Sequence, residues 1–322
     1  MREHTMPKRT AAAVQQERVE RRRRIAVTGA LAALAVVAGA SFLVQSGEPD
    51  ADGGDRLSTS STLPPLDVET GVVHVHGLGV DPGDGVLYAA THSGLFRVPE
   101  EGKATRVANR AQDTMGFSIV GPGQFIGSGH PDFREDDVRP PLLGLIESDD
   151  RGETWDRVSL HGQADFHALH AAHGNVYGYD STSQTFMVSQ DGKDWDRRSR
   201  LALADFVVDP TDPDTVLATT QQGVVRSTDG GRAWTPVAGA PTLVVLTWAG
   251  QGQLYGVTPD GTVQRSQDGG ATWDTRGAVG GVPEAIAVDV RGGRETLYVA
   301  AADRGILASA DQGRTFTTRY AE

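Results

Sequence analysis

One octapeptide, written four times and once more in a shortened form, limits this chain to a narrow set of folds. It reads SDDRGETW at Ser148–Trp155, STDGGRAW at Ser227–Trp234, SQDGGATW at Ser266–Trp273 and SADQGRTF at Ser309–Phe316. The shorter copy is SQDGKDW at Ser189–Trp195. Successive copies start 41, 38, 39 and 43 residues apart. A repeat of about 40 residues is the length of one four-stranded propeller blade. Each copy holds what a tight turn needs. A carboxylate (Asp150, Asp191, Asp229, Asp268, Asp311) can accept from the N–H groups of its own turn. Gly152, Gly231, Gly270 and Gly313 can take positive φ, and the closing aromatic can cover an apolar layer.

The segments between copies each supply four short strands. From Leu201 the order is ADFVVD, a PTDPD turn, TVLATT, QQG, VVRS, the octapeptide and WTPVA. From Val282 it is EAIAVD, ETLYVAA, GILAS, the octapeptide and TTRY. These runs are rich in Val, Leu and aromatics and are bounded by turn residues, as strands are. The segment from Val72 follows the same order (HVHGLGVDP, GVLYAA, GLFRV, ATRVA) without the octapeptide. Counting it with the five motif-bearing segments predicts an all-β, six-bladed β-propeller over residues 70–322.

The octapeptides resemble the Asp-box, or bacterial neuraminidase repeat, of pattern Ser-x-Asp-x-Gly-x-Thr-Trp. The resemblance covers residues 72 to 320 and implies a hairpin turn between the third and fourth strands of a blade. It assigns Asp150, Asp191, Asp229, Asp268 and Asp311 to scaffold, since five turns point around a ring and a binding site converges on one place. The sialidases in which the box is best known also need three substrate-clamping arginines and a Tyr nucleophile paired with Glu. No Arg falls at the inner-strand starts or second-strand ends, and Arg226 and Arg265 fall on third strands beside the boxes. No catalytic residue carries over. Other Asp-box propellers, among them photosystem-assembly and sortilin-like proteins, are binding platforms without chemistry.

The N-terminus reads as an address. Residues 1–24 carry eight basic side chains against three Glu, and residues 25–44 (IAVTGALAALAVVAGASFLV) carry no charge. Twenty apolar or small residues suffice for a membrane-spanning helix, with the arginines keeping residues 1–24 in the cytoplasm. The alternative is a signal peptide cleaved after Ala40, at Ala38-Gly39-Ala40, and a twin-arginine export route is open too. Either places the body outside the cytoplasmic membrane. Residues 45–69 (GEPDADGGDRLSTSSTLPP and flanks) have the composition of a flexible linker. The chain totals −12, so everything after residue 44 carries −17, which argues against nucleic acid as partner. With no Cys, disulfides, thiolate metal sites and a Cys nucleophile are excluded.

In a propeller, starts of first strands and ends of second strands surround one channel mouth. Aligning the blades puts His76 and His167 at equivalent first-strand positions, with Glu284 in the same place in blade 6. His92 and His130 fall at equivalent second-strand ends. His74 lies two residues before His76 on the same strand face. Asp180 ends the second strand of blade 3, Asp303 lies just past that of blade 6, and Asp132 follows His130. His76, His92, His130 and His167 are therefore candidate ligands for a divalent transition metal such as Zn, Fe, Cu or Mn. Asp180, Glu284 and Asp303 are candidate carboxylates for a glycoside hydrolase. His161, His170 and His173 read as ordinary loop or strand residues. The insertion HPDFREDDVRPP (His130–Pro141) interrupts the blade pattern and reads as a surface loop over the mouth.

The sequence thus points to a membrane-tethered, extracytoplasmic module that binds a carbohydrate or protein at a His-rich mouth. The alternatives are a glycoside hydrolase using the carboxylates there, or a metal-dependent enzyme whose ion activates water.

Overall fold

The computed structural model describes residues 71–132, 134 and 140–321. They form six antiparallel sheets of four strands, each in chain order. The inner strands are Val75–Val80, Asp113–Gly121, Phe166–Ala172, Asp205–Asp209, Val245–Gly250 and Pro283–Arg291. Each touches the inner strands of the blades before and after it, and the last touches the first, so the six close into a ring. No α-helix occurs among the described residues, only one 3-10 turn at Val107–Asn109. Among them no helix is long and apolar enough to cross a membrane. The expected span at 25–44 and linker at 45–69 lie outside the described residues.

Burial follows from the stacking of blades. Every residue of Val75–Val80 is buried, because an inner strand packs against neighbouring blades on both faces. The outer strand Trp195–Arg200 has no fully buried residue. The core lies in layers between blades. Tyr88 and Leu95 of blade 1 meet Phe117, Ile119 and Phe125 of blade 2 in one such layer. Phe186 is held edge-on by Phe206 and by Trp234, the aromatic that closes an octapeptide.

The octapeptides form the turns between third and fourth strands. In the copy at Ser266, the Ser hydroxyl donates to Asp268 Oδ1 (2.9 Å) and accepts from Gly270 N–H (2.8 Å). Asp268 then accepts from Thr272 N–H and Oγ1. The copies at Ser148 and Ser309 repeat the network. These bonds to the ionised form hold Asp268 down to about 2.

Three of the turns also fasten their blade to the one before. Arg198 of blade 3 donates to Gly230 O of blade 4, Arg226 of blade 4 to Gly269 O of blade 5, and Arg276 of blade 5 to Gln312 O of blade 6. This is where Arg226 is used, on the scaffold.

Because every sheet is one unbroken stretch of chain, the first and last blades are joined, among the described residues, through side chains. Arg319 on the last strand donates to Pro99 O (2.6 Å) and Val98 O (3.0 Å) of blade 1. Glu284 Oε2 accepts from Val75 N–H (3.2 Å). A shared apolar layer joins Leu78, Leu87 and Phe96 to Ala285, Ala300 and Ile306. Charge-assisted hydrogen bonds of this kind contribute about 2 kcal/mol, so Arg319→Ala should lower unfolding free energy by about that much in urea titration. An unchanged midpoint would remove Arg319 from the closure.

Candidate metal centre

The mouth is built by a single recurring irregularity. In blades 1, 2, 3 and 6 the inner strand slips register once near its start, so one residue bulges out of the ladder. The bulged residues are His76, Met115, His167 and Glu284. A bulge re-aims its side chain, which is how residues of an otherwise packed strand reach a site. Two positions upstream stand His74, Asp113, Asp165 and Val282. The second-strand residues beside these upstream positions are His92, His130, Ser181 and Ala302. The sequence-based equivalences of His76 with His167 and Glu284, and of His92 with His130, coincide with this register. Asp180 and Asp303 each fall one residue away from it.

Asp113 organises the site, and sequence reasoning missed it. Its Oδ1 lies 3.4 Å from His76 Nε2, and its Oδ2 lies 3.2 Å from His92 Nδ1 and 3.2 Å from His130 Nδ1. One ligand atom from each of His76, His92 and Asp113 lies within 4.8 Å of the others. Donors about 2.1 Å from a tetrahedral ion stand about 3.4 Å apart, a spacing that the approaches of Asp113 to His76 and to His92 match.

The hydrogen-bond account points the same way. His76 is 5% exposed, yet neither ring nitrogen has a hydrogen-bond partner, and Asp113 Oδ1 has none either. The 3.4 Å approach of His76 to Asp113 is in ion-pair range but is not aligned as a hydrogen bond. Buried polar atoms without partners cost about 1–3 kcal/mol each. A cation between them would satisfy both.

Burial pushes the Asp113 carboxyl up, but His130, His76 and His92 outweigh it and hold the group well below the usual range. His130 is raised, chiefly by its bond to Asp113, against burial. Asp165, the second carboxylate that sequence reasoning missed, takes His167 Nε2 at 2.9 Å and Ser181 Oγ at 3.2 Å. Burial raises it, and the His167 hydrogen bond and the charges of His167 and His130 bring it below the ordinary value.

The signal for both residues was present. The step of two residues that links His76 to His74 leads from Met115 to Asp113 and from His167 to Asp165.

The other candidates are engaged in support. Asp180 is buried, accepts from Asp165 N–H (3.1 Å) and takes the Ser183 hydroxyl. Glu284 holds Val75 N–H and lies 3.9 Å from His74 Nδ1. Asp303 is exposed on a turn at φ 60°. Asp132 accepts from Ala111 N–H (2.7 Å) and from Arg134. The Arg134 bonds bring it down to about 2. It thereby pins the chain two residues before Asp113. Residues 133 and 135–139, the centre of the expected surface loop, lie outside the described set.

His170 is a separate case. Burial in blade 3, with a smaller push from His173, lowers it to about 4, and its Nδ1 has no hydrogen-bond partner. The unfolded chain takes up this proton first, so stability falls as pH drops from 6.5 towards 4. The loss amounts to about 3 kcal/mol at most. His170→Leu should flatten that acid limb in pH-dependent urea melts; an unaltered limb would contradict the assignment.

No family model and no curated protein matches the chain. Among solved structures it is similar to a propeller in a nidogen/laminin complex, at 13% identity and TM-score 0.55, covering 72% of this chain and 91% of that one. YCF48 from Cyanidioschyzon merolae matches at 14% identity and TM-score 0.49, covering 76% and 96%. A GH74 enzyme from Niastella koreensis matches at 15% identity and TM-score 0.47 over 74% of this chain, which spans only 36% of that enzyme. The likeness to the nidogen/laminin structure extends to the fold alone, and the six four-stranded sheets closed in a ring make the chain a six-bladed β-propeller.

Proposed function

We propose that this protein is an extracytoplasmic binding module whose channel mouth holds a divalent transition metal on His76, His92 and Asp113. The carrying observation is the buried His76, whose two ring nitrogens are unpartnered and whose Nε2 lies 3.4 Å from an unpartnered Asp113 oxygen, inside a three-residue cluster of candidate ligands. Imidazole and carboxylate together suit Zn, Cu, Fe or Mn, and three protein ligands leave a coordination position for water or a bound group. That open position, ringed by polar side chains, is where a ligand or protein partner would engage. A fold-level parallel is the propeller in the nidogen/laminin complex. The binding reading is favoured over glycoside hydrolysis because Asp180 and Glu284 already serve backbone N–H groups. Export or tethering through residues 25–44 is part of the same reading.

The test is calorimetric titration of the purified chain, without a histidine tag, with Zn(II), beside a His76→Ala/His92→Ala variant. One site in the parent, absent from the variant, is the expected result. Equal binding by both would overturn the assignment.

A further inference from the structure

The first site has a simple description in terms of the repeat. It takes the bulged residue of blade 1 (His76), the second-strand residue of blade 1 (His92), and the upstream residue of blade 2 (Asp113). The same three positions, advanced by one blade, are Met115, His130 and Asp165. We propose that this junction of blades 2 and 3 is a second metal position, made of a thioether, an imidazole and a carboxylate, and that it takes copper. The proposal rests on the reading of the first site only for its geometry.

Three observations carry it. The first is that at two junctions the repeat brings the bulged residue of one blade to the upstream residue of the next, whereas the bulged His167 of blade 3 meets Asp165 of its own blade at 2.9 Å. His76 reaches Asp113 at 3.4 Å, and Glu284 reaches His74 at 3.9 Å across the ring closure. Met115 occupies that bulged position in blade 2 and is buried. Its neighbour Gly116 is pressed against blade 3, where an added Cβ would stand 2.5 Å from Phe166 O, the carbonyl next to Asp165.

The second observation concerns His130. Its Nδ1 is bound to Asp113 at 3.2 Å, while its Nε2 lies 3.9 Å from Asp165 Oδ2. A metal-ligating histidine characteristically gives one ring nitrogen to a carboxylate and offers the other to the ion. Asp113 thus orients the ligand of the second position while it ligates at the first.

The third is that the side chain of Asp165 is 8% exposed and its Oδ1 has no hydrogen-bond partner, although Oδ2 faces His130, His167 and Ser181. This is a buried, unsatisfied ligand atom of the kind found at Asp113.

The difference between the two sites is chemical. Replacing His76 with its positional counterpart Met115 exchanges a borderline nitrogen for a soft sulfur, and thioethers favour copper, Cu(I) above all. The pattern runs out at the next junction, where the second-strand place is Ser181 and the blade 4 strand begins without a bulge.

The experiment is equilibrium copper loading of the full chain under reducing conditions, with Zn(II) loading as the parallel probe and metal counted by elemental mass spectrometry. The parent chain should hold two Cu and one Zn. Met115→Leu, which keeps volume and apolarity, and Asp165→Asn should each lower copper to one and leave zinc at one. His76→Ala/His92→Ala should remove the zinc and leave the copper that depends on Met115. Retention of two Cu by both Met115→Leu and Asp165→Asn would overturn the second site. A parent that holds a single Cu, lost on His76→Ala/His92→Ala and kept on Met115→Leu, would overturn it and leave the first site standing. A single Cu lost on Met115→Leu, with no zinc bound, would overturn the first site and support the second. Retained zinc in the two single variants shows that they fold.

Discussion

Changing Asp113 to Asn is expected to lower divalent-metal affinity at the mouth about a thousandfold, close to 4 kcal/mol. The amide keeps the size of the carboxylate but removes the anionic ligand, and it weakens the bond that orients His130. Its effect without metal is a matter of linkage. Asp113 is depressed, so its contribution is present above pH 3.8, its ordinary value, and is lost as pH falls below that. His130 is raised, so its contribution is full below pH 6.5 and is lost as pH rises through its folded value. The parent should therefore exceed Asp113→Asn in stability most clearly between those two values, with the gap closing on both sides. Calorimetry at fixed pH tests the affinity, and urea melts across pH test the gap. A gap that widens steadily with pH would contradict the assigned coupling.

The second large effect is structural. Gly231 sits in an octapeptide turn at φ 89°, and a Cβ there would stand 2.2 Å from the Phe186 ring of the preceding blade. Left-handed backbone costs a non-glycine residue about 1–2 kcal/mol. Overpacking a filled core adds about 1–3 kcal/mol. Gly231→Ala should thus destabilise the propeller by about 3 kcal/mol, lowering Tm on the order of 10 °C. Gly239 is the control: it has φ 77° with nothing within 4 Å of an added Cβ. Gly239→Ala should therefore show only the backbone cost. Equal losses at the two positions would mean that the contact with Phe186 is not what the turn glycine protects.

The blade count and the place of the octapeptides were legible because a turn is a local object. Ser266, Asp268, Gly270 and Thr272 bond to one another within seven residues, so the sequence carries the whole network. The mouth is different, because its residues meet across blades. His76 and His92 were visible as a matched pair of strand ends. Asp113 and Asp165 were not, because a carboxylate at or just before the start of a strand reads as an ordinary turn residue until a bulge downstream fixes where it faces. Asp180 stood out as a strand-terminal carboxylate, yet the strand pairing shows the relevant register to be at Ser181. A displacement of one residue on a strand reverses the face, so that error decides whether a side chain lines the mouth. The roles of Arg198, Arg226 and Arg276 in joining blades also depend on contacts that no single repeat contains.

Anomalous diffraction from crystals of the chain grown with Zn(II) tests the central claim most directly. The expected result is a peak about 2.0–2.2 Å from a ring nitrogen of His76, a ring nitrogen of His92 and an oxygen of Asp113. Anomalous density found only at other residues, with His76 and Asp113 still unpartnered, would contradict it.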